Sequence, residues 1–231
     1  MVIMKTKSKK AGSQTGSMTF ETHPPISDAG TDVKHLASEI RSLSAAGSIL
    51  TIAVAGPPGS GKSTFSAALA TQIGPSCCVV PMDGFHLDNS VLQDRGLLAR
   101  KGAPDTFDCA GFSHLVDDLK RGSGTIFPTF DRDSDSVVPS GGHVPAGTTV
   151  LLFEGNYLLF DETGWRDLAA KWDAAIWLDV PNAILEARLI RRWRDQGMSE
   201  ADATARARTN DLTNARHVID KALPAKWTVS N

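Results

Sequence analysis

The stretch Ile49-Leu50-Thr51-Ile52-Ala53-Val54-Ala55-Gly56-Pro57-Pro58-Gly59-Ser60-Gly61-Lys62-Ser63-Thr64 decides how this chain is read. Its first seven residues are continuous and, Thr51 apart, apolar, which is the pattern of a strand buried on both faces. Gly56 to Gly61 break that strand, and Lys62 to Ile73 continue as a helix. The octet from Gly56 to Ser63 fits GxxxxGK[ST] at every fixed position. By average composition, a chance match in a chain this long has odds of roughly one in a hundred. The spacing has a physical reason. Glycines let consecutive backbone N–H groups turn inward around phosphate oxygens, where a Cβ would intrude. The helix that starts at Lys62 points its positive end at the same anion. Lys62 then reaches the β- and γ-phosphates, and the Ser63 hydroxyl ligates magnesium. Gly56, Pro57, Pro58, Gly59, Ser60, Gly61, Lys62, Ser63 and Thr64 are the expected triphosphate-binding residues.

Working outward, further apolar runs predict strands at Cys77 to Met82, Thr148 to Phe153 and Ala174 to Leu178, with a last short strand near Ala215 to Ile219. Helical spacing is read over Asp32 to Ser44, Gly111 to Lys120, Trp165 to Lys171 and Asn182 to Arg194. Strands alternating with helices argue for an α/β, doubly wound parallel sheet with right-handed crossovers. Residues 83–146 are rich in Gly, Pro and Asp and interrupt that rhythm as a substrate-side excursion. Residues 1–24 carry four lysines and no acid before Glu21, followed by polar residues rather than an apolar segment, and are read as a disordered leader. Residues 25–231 are then one domain.

The bulk composition excludes several classes. With 24 basic against 26 acidic residues the net charge is −2, which gives no reason to expect a nucleic-acid partner. No apolar run approaches the roughly 20 residues of a membrane span. Three cysteines, Cys77, Cys78 and Cys109, form no metal-ligand spacing and no disulfide framework, which suits a reduced, cytoplasmic protein. The oligomeric state is not readable from these features.

Chemistry in open α/β sheets gathers at the carboxyl ends of the strands. Two acids stand there: Asp83 within Pro81-Met82-Asp83-Gly84-Phe85-His86, and Glu154 within Leu151-Leu152-Phe153-Glu154-Gly155-Asn156. An acid directly after an apolar strand is costly to bury unless it serves a cation or hydrogen-bond donors. Asp161-Glu162-Thr163-Gly164 matches a DxxG switch motif, but no guanine-reading [NT]KxD follows, so a switch GTPase is not the reading.

From about Leu50 to Asp220 the chain resembles the uridine kinase, phosphoribulokinase and type I pantothenate kinase superfamily, most closely a branch labelled fructose-transport or nucleoside-kinase-like. The matching pieces are GPPGSGKS (56–63), MDGFH (82–86), RKGAPDTFD (100–108), FPTFDR (127–132), EGNYLL (154–159) and ARLIRRWRD (187–195). The resemblance implies a P-loop containing nucleoside triphosphate hydrolase fold with a lid helix, ATP and Mg2+ as cofactors, and transfer of a phosphoryl group to an alcohol of a small molecule. It implies Asp83 as the base that accepts the acceptor's proton and Glu154 as support, with Ser63, for the metal. It also implies a lid region at 182–210, where Arg188, Arg191, Arg192 and Arg194 crowd one helix. Arg188 and Arg191 are the expected clamps, since planar guanidinium donors suit spread phosphoryl charge. Asn210-Asp211 and Asn214-Ala215, read as preceding the last strand, are the expected adenine seat. A nucleotide-binding regulatory ATPase without acceptor, and an RNA adaptor using the basic leader, are the alternatives from other classes.

The resemblance sets Lys101, Asp105, Asp131 and Arg132 over the acceptor, and His86, close behind Asp83, is in a position to hydrogen-bond it. Gly102 stands where uridine kinases carry an acid, and losing that acid removes a charge-assisted bond to a ribose, worth about 1.5–3 kcal/mol. The expected lining has many polar partners and few aromatic faces for a base. A sugar or polyol is therefore favoured, with pantothenate second and uridine or cytidine third.

Overall fold

A single buried strand, β1 (Leu50–Ala55), organises the computed structural model, which describes residues 29–44 and 48–231. Around it stand β2 (Cys77–Pro81), β5 (Val150–Gly155), β6 (Ala174–Asp179) and β7 (Trp227–Ser230), in the order β2-β5-β1-β6-β7, and every pair is parallel. Alternate residues of the central strands serve opposite faces. Leu50, Ile52, Val54, Val150 and Leu152 pack with Leu36 and Ile40 of α1 (Ala29–Ser44) and Phe65 and Leu69 of α2 (Lys62–Ile73). Ala53, Ala55, Leu151 and Phe153 pack the other way, against Phe112 and Val116 of α4 (Cys109–Lys120) and against Leu168 and Trp172. Two apolar faces on each central strand are what a doubly wound parallel sheet requires.

Thr51 is the polar residue inside β1, and its side chain is fully buried. Its backbone N–H donates to Asp173 Oδ2 at 2.8 Å, and its hydroxyl lies 2.8 Å from Lys171 O. Lys120 Nζ closes the group at 2.9 Å from Asp173 Oδ1. These bonds satisfy the buried polar atoms and tie α4 to the amino end of β1.

Several elements differ from the sequence reading. β2 ends at Pro81, and Met82–Phe85 is a 3-10 turn, so Asp83 stands in a turn rather than on a strand. β5 runs on through Glu154, which pairs in register with both Val54 and Pro81. The strand expected at Ala215 to Ile219 is instead helix α7 (Leu212–Asp220), because Leu212, Ala215 and Val218 recur at helical spacing and are all buried. The last strand is β7, where Trp227 and Val229 alternate inward. Trp165 to Lys171 narrows to a 3-10 turn at Arg166–Lys171.

The excursion holds α3 (Asn89–Asp94), α4 and an antiparallel hairpin of β3 (Ile126–Asp131) and β4 (Ser136–His143), which forms a second sheet. The lid comprises α5 (Asn182–Asp195), α6 (Glu200–Arg206) and a π-helical stretch, Ala207–Asp211, seated on its own apolar cluster of Leu185, Leu189, Ala207 and Leu212. The expected leader at 1–24 lies outside the described residues. Cys77, Cys78 and Cys109 are free, and no helix among the described residues is long and apolar enough to cross a membrane.

Leu152 is fully buried in the middle of β5. Leu152→Ala should cost about 2–5 kcal/mol, read as a lower urea midpoint with an unchanged m-value.

Candidate active site

The loop after β1 is shaped by its glycines. Gly59 and Gly61 hold φ of 80° and 86°, a left-handed conformation that disfavours a Cβ. A Cβ on Gly56 would stand 3.0 Å from Leu178 O of the neighbouring strand, so the loop needs glycine to leave the sheet there. Lys62 is buried, and its Nζ donates to Pro57 O at 3.0 Å while lying 3.4 Å from Ser60 Oγ. Burial pulls its ammonium down to about 8, against the opposing pull of Glu154 and Asp83. The lysine is thus held over the loop by its own backbone, facing the cleft.

Ser63, at the start of α2, donates its hydroxyl to Glu154 Oε1 at 2.9 Å. Glu154 is buried; desolvation, with the nearby charge of Asp83, raises its carboxyl above the usual range. A hydroxyl and a buried carboxylate facing each other beside a phosphate loop are oxygen donors of the kind magnesium takes. Among the described residues no group of three or more acidic, His or Cys side chains could hold a metal unaided. Ser63 and Glu154 therefore fit an ion that brings its remaining ligands as water and phosphate oxygens.

Asp83 faces this pair across a cleft of about 580 Å³ lined by residues from the loop, the hairpin and the lid. The 3-10 turn that carries it lies directly under β3: a Cβ on Gly84 would meet Pro128 O at 2.1 Å, so only glycine admits that approach. Arg132, at the tip of the hairpin, donates Nη2 to Asp83 Oδ2 at 2.7 Å. His86 lines the cleft with its ring 4.0 Å from that of Phe107 and 4.6 Å from that of Phe130. Burial, aided by Lys101 and Arg132 and opposed by Asp83 and Asp135, lowers His86 to about 4, so the imidazole is neutral at neutral pH.

The expected acceptor residues divide. His86, Lys101 and Arg132 reach the cleft. Asp105 does not; its carboxylate pairs with Arg100 at 3.2 Å on the exposed side of the loop. Asp131 does not either, because it turns back onto its own hairpin, accepting from Asp133 N at 3.0 Å and Ser134 Oγ at 2.7 Å. Gly102 holds φ of 100°, so a glycine there has a backbone reason independent of any lost acid. Three aromatic side chains also reach the cleft, against expectation. Each has a polar neighbour against its ring: His86 at Phe107, Lys101 over Phe130 and Arg192 over Trp193.

On the lid, Leu185 and Leu189 bury one stripe of α5, which turns Arg188 and Arg192, one helical turn apart, toward the loop and cleft. Arg188 Nη1 lies 3.4 Å from Gly59 O and Ser60 O. Arg192 Nη2 donates to Asp211 Oδ1 at 3.1 Å, and Trp193 Nε1 holds the other carboxylate oxygen. Arg191 is 83 % exposed and pairs with Asp195 at 3.6 Å, so Arg192 rather than Arg191 is the second clamp candidate. The i, i+4 relation to Arg188 was the signal. Of the expected adenine seat, Asp211 and Asn214 line the cleft from the π stretch and α7, the last helical elements before β7. Asn210 instead donates to Lys101 O at 3.2 Å.

The model of the phosphoribulokinase / uridine kinase family matches residues 51–221. The chain belongs to this family. The kinase is similar to a provisionally described fructose transport system kinase from Silicibacter sp. TM1040, at 47 % identity and a TM-score of 0.81 over 85 % of this chain and 98 % of that one. It is 36 % identical to the uncharacterised protein YggC of Escherichia coli (strain K12), over 75 % of this chain and 74 % of that protein. Pantothenate kinase of Rhodococcus erythropolis (strain PR4) matches at 27 % identity, over 76 % of this chain and 64 % of that enzyme. The protein is accordingly an ATP-dependent small-molecule kinase.

A histidine held neutral in the fold while its unfolded counterpart titrates near 6.5 links stability to pH. Its contribution is complete above about pH 6.5 and is lost as pH falls toward about 4. His86→Phe keeps the aromatic packing and removes the proton site. Its melting temperature should fall less steeply than wild type across that window in a differential scan.

Proposed function

We propose that this kinase moves the γ-phosphoryl group of ATP to a hydroxyl of a small polyhydroxylated acceptor, a sugar or polyol ahead of pantothenate. The observation that carries the reading is Asp83, a carboxylate facing the phosphate loop across a cleft whose rim is polar and whose aromatic rings each carry a polar neighbour. A flat base would compete with these neighbours for a ring. A polyol meets charged and hydrogen-bonding groups at several of its oxygens.

In this scheme Lys62 and the loop N–H groups hold the β- and γ-phosphates, and Asp83 takes the proton of the attacking hydroxyl. Arg188 and Arg192 offer guanidinium donors from the lid to the equatorial oxygens, and closure of α5 and α6 excludes water. Ser63 and Glu154 would hold magnesium, which supplies neutralisation of the charge developing between the β- and γ-phosphates. Phosphoryl transfer demands little beyond such positioning and charge stabilisation.

ADP release over a panel of sugars including D-fructose, polyols, pantothenate and nucleosides, with product mass confirmed, tests the acceptor class. One or more sugars or polyols should turn over best. Efficient phosphorylation of uridine or cytidine with sugars inert would reject the assignment. With the best acceptor, Asp83→Asn should lower kcat by about 10²–10⁴-fold with little change in ATP affinity.

A further inference from the structure

Asp83 is already engaged. Its Oδ2 accepts from Arg132 at 2.7 Å, and Asp83 is the one recorded side-chain partner of Arg132 among the described residues. Arg132 is 53 % exposed, so the pair can open without disturbing the core.

The turn that delivers this arginine is heavily braced. It contains Asp135, whose φ of 49° is the single positive value outside glycine among the described residues. That conformation is unfavourable for a residue with a Cβ and persists only where the surroundings enforce it. Here Lys101 Nζ lies 2.8 Å from Asp135 Oδ1 and 3.1 Å from Asp135 O, and Asn89 Nδ2 donates to Asp135 Oδ2 at 2.9 Å. Lys101 spends its third donor on Asn89 Oδ1 at 2.7 Å. All three of its protons serve the brace and none remains for a substrate. Asp131 caps the same turn, and Gly84 lets β3 lie on the backbone beside Asp83. Five residues thus hold one guanidinium against one carboxylate.

We infer that Arg132 decides between an alcohol and water as the phosphoryl acceptor, by capping Asp83 until a polyol takes both partners. The inference rests on Asp83 as the base. In hydrolysis a water oxygen bonds the γ-phosphorus and the bond to the β-phosphate oxygen breaks. ADP leaves with that electron pair, and Asp83 takes the proton, giving ADP and inorganic phosphate. The oxygen that accepts from Arg132 already has its lone pair engaged and is less open to an incoming proton. A molecule with neighbouring hydroxyls can donate one to Asp83 and offer the next oxygen to Arg132, parting the pair. A single water that bridges the pair only replaces the charge-assisted bond already made there, so water gains nothing by opening it. Arg132 is then a specificity residue acting through the base.

The test is acceptor-free ADP release from ATP with magnesium, in wild type, Arg132→Ala, Arg132→Gln, Asp83→Asn and the double variant Arg132→Ala/Asp83→Asn. Freeing the base should raise the rate by about two- to fivefold, the range that an exposed ion pair can withhold. The double variant should return to the wild-type level or below. An unfolded variant loses hydrolysis rather than gaining it, and Arg132→Gln keeps the bulk of the side chain if the alanine variant unfolds or loosens the cleft. Unchanged or lower hydrolysis in both single arginine variants overturns the inference, as does a raised rate that persists in the double variant. Asp83→Asn alone, assayed with the best acceptor of the panel, separates the two readings. Undiminished transfer there removes the base and this inference with it, whereas lost transfer without a gain in the arginine variants removes this inference alone.

Discussion

Burial of β1 between β5 and β6 is the constraint from which the site follows. A parallel strand in the middle of a sheet has no solvent face, so its residues are apolar and its position is set by both layers of helices. Because that strand is immobile, the loop at its carboxyl end is delivered to one place, and so is the start of α2. The register of β5 then fixes Glu154 beside Val54 on one side and Pro81 on the other, within reach of Ser63. The phosphate side of the cleft is therefore an extension of the core, with Lys62 and Glu154 both buried.

The acceptor side is built differently. Asp83 sits on a short turn, and Arg132 comes from a two-stranded sheet that shares no strand with the main one. Its geometry depends on side-chain bonds within and around a turn rather than on layers of apolar packing. Such parts hold their shape at low cost in buried area and can rearrange when a substrate competes for their polar groups. The lid is a third regime: α5 and α6 rest on a small apolar cluster, while Asp211 at the end of the π stretch ties Arg192 and Trp193 together. π-helical segments often mark functional positions, and this one sets a buried carboxylate beneath the lid helix.

The electrostatics of the cleft show the same division. Lys62 is pulled down to about 8 by burial although Glu154 and Asp83 stand close, so the phosphate side carries desolvation strain that bound phosphates and a cation would relieve. Arg132 on the acceptor side and Arg192 on the lid each already have an acid partner. The first half is a socket awaiting charge, and the second is a set of closed pairs awaiting exchange.

Local rules were enough for the phosphate side. The buried strand, the glycine loop, the following helix and Glu154 at the end of β5 are all short-range patterns, because strand burial, positive φ and helix spacing act within a few residues. They failed wherever distant contacts set the outcome. Ala215 to Ile219 has the composition of a strand, yet burial of Leu212, Ala215 and Val218 under the lid makes it a helix. Asp105 and Asp131 belong to motifs that suggested substrate contact, but ion pairing with Arg100 and capping of the hairpin turn them aside. Arg191 and Arg192 are adjacent in the chain, and the buried stripe of Leu185 and Leu189 sends one to solvent and the other into the cleft. The pairing of Arg132 with Asp83, 49 residues apart, had no local signal at all. The chain's own pattern lays out the glycine loop and Lys62, since these lie in one contiguous stretch. What the acceptor meets depends on how hairpin, 3-10 turn and lid converge, because each contributes a single side chain whose direction is set by packing far along the sequence.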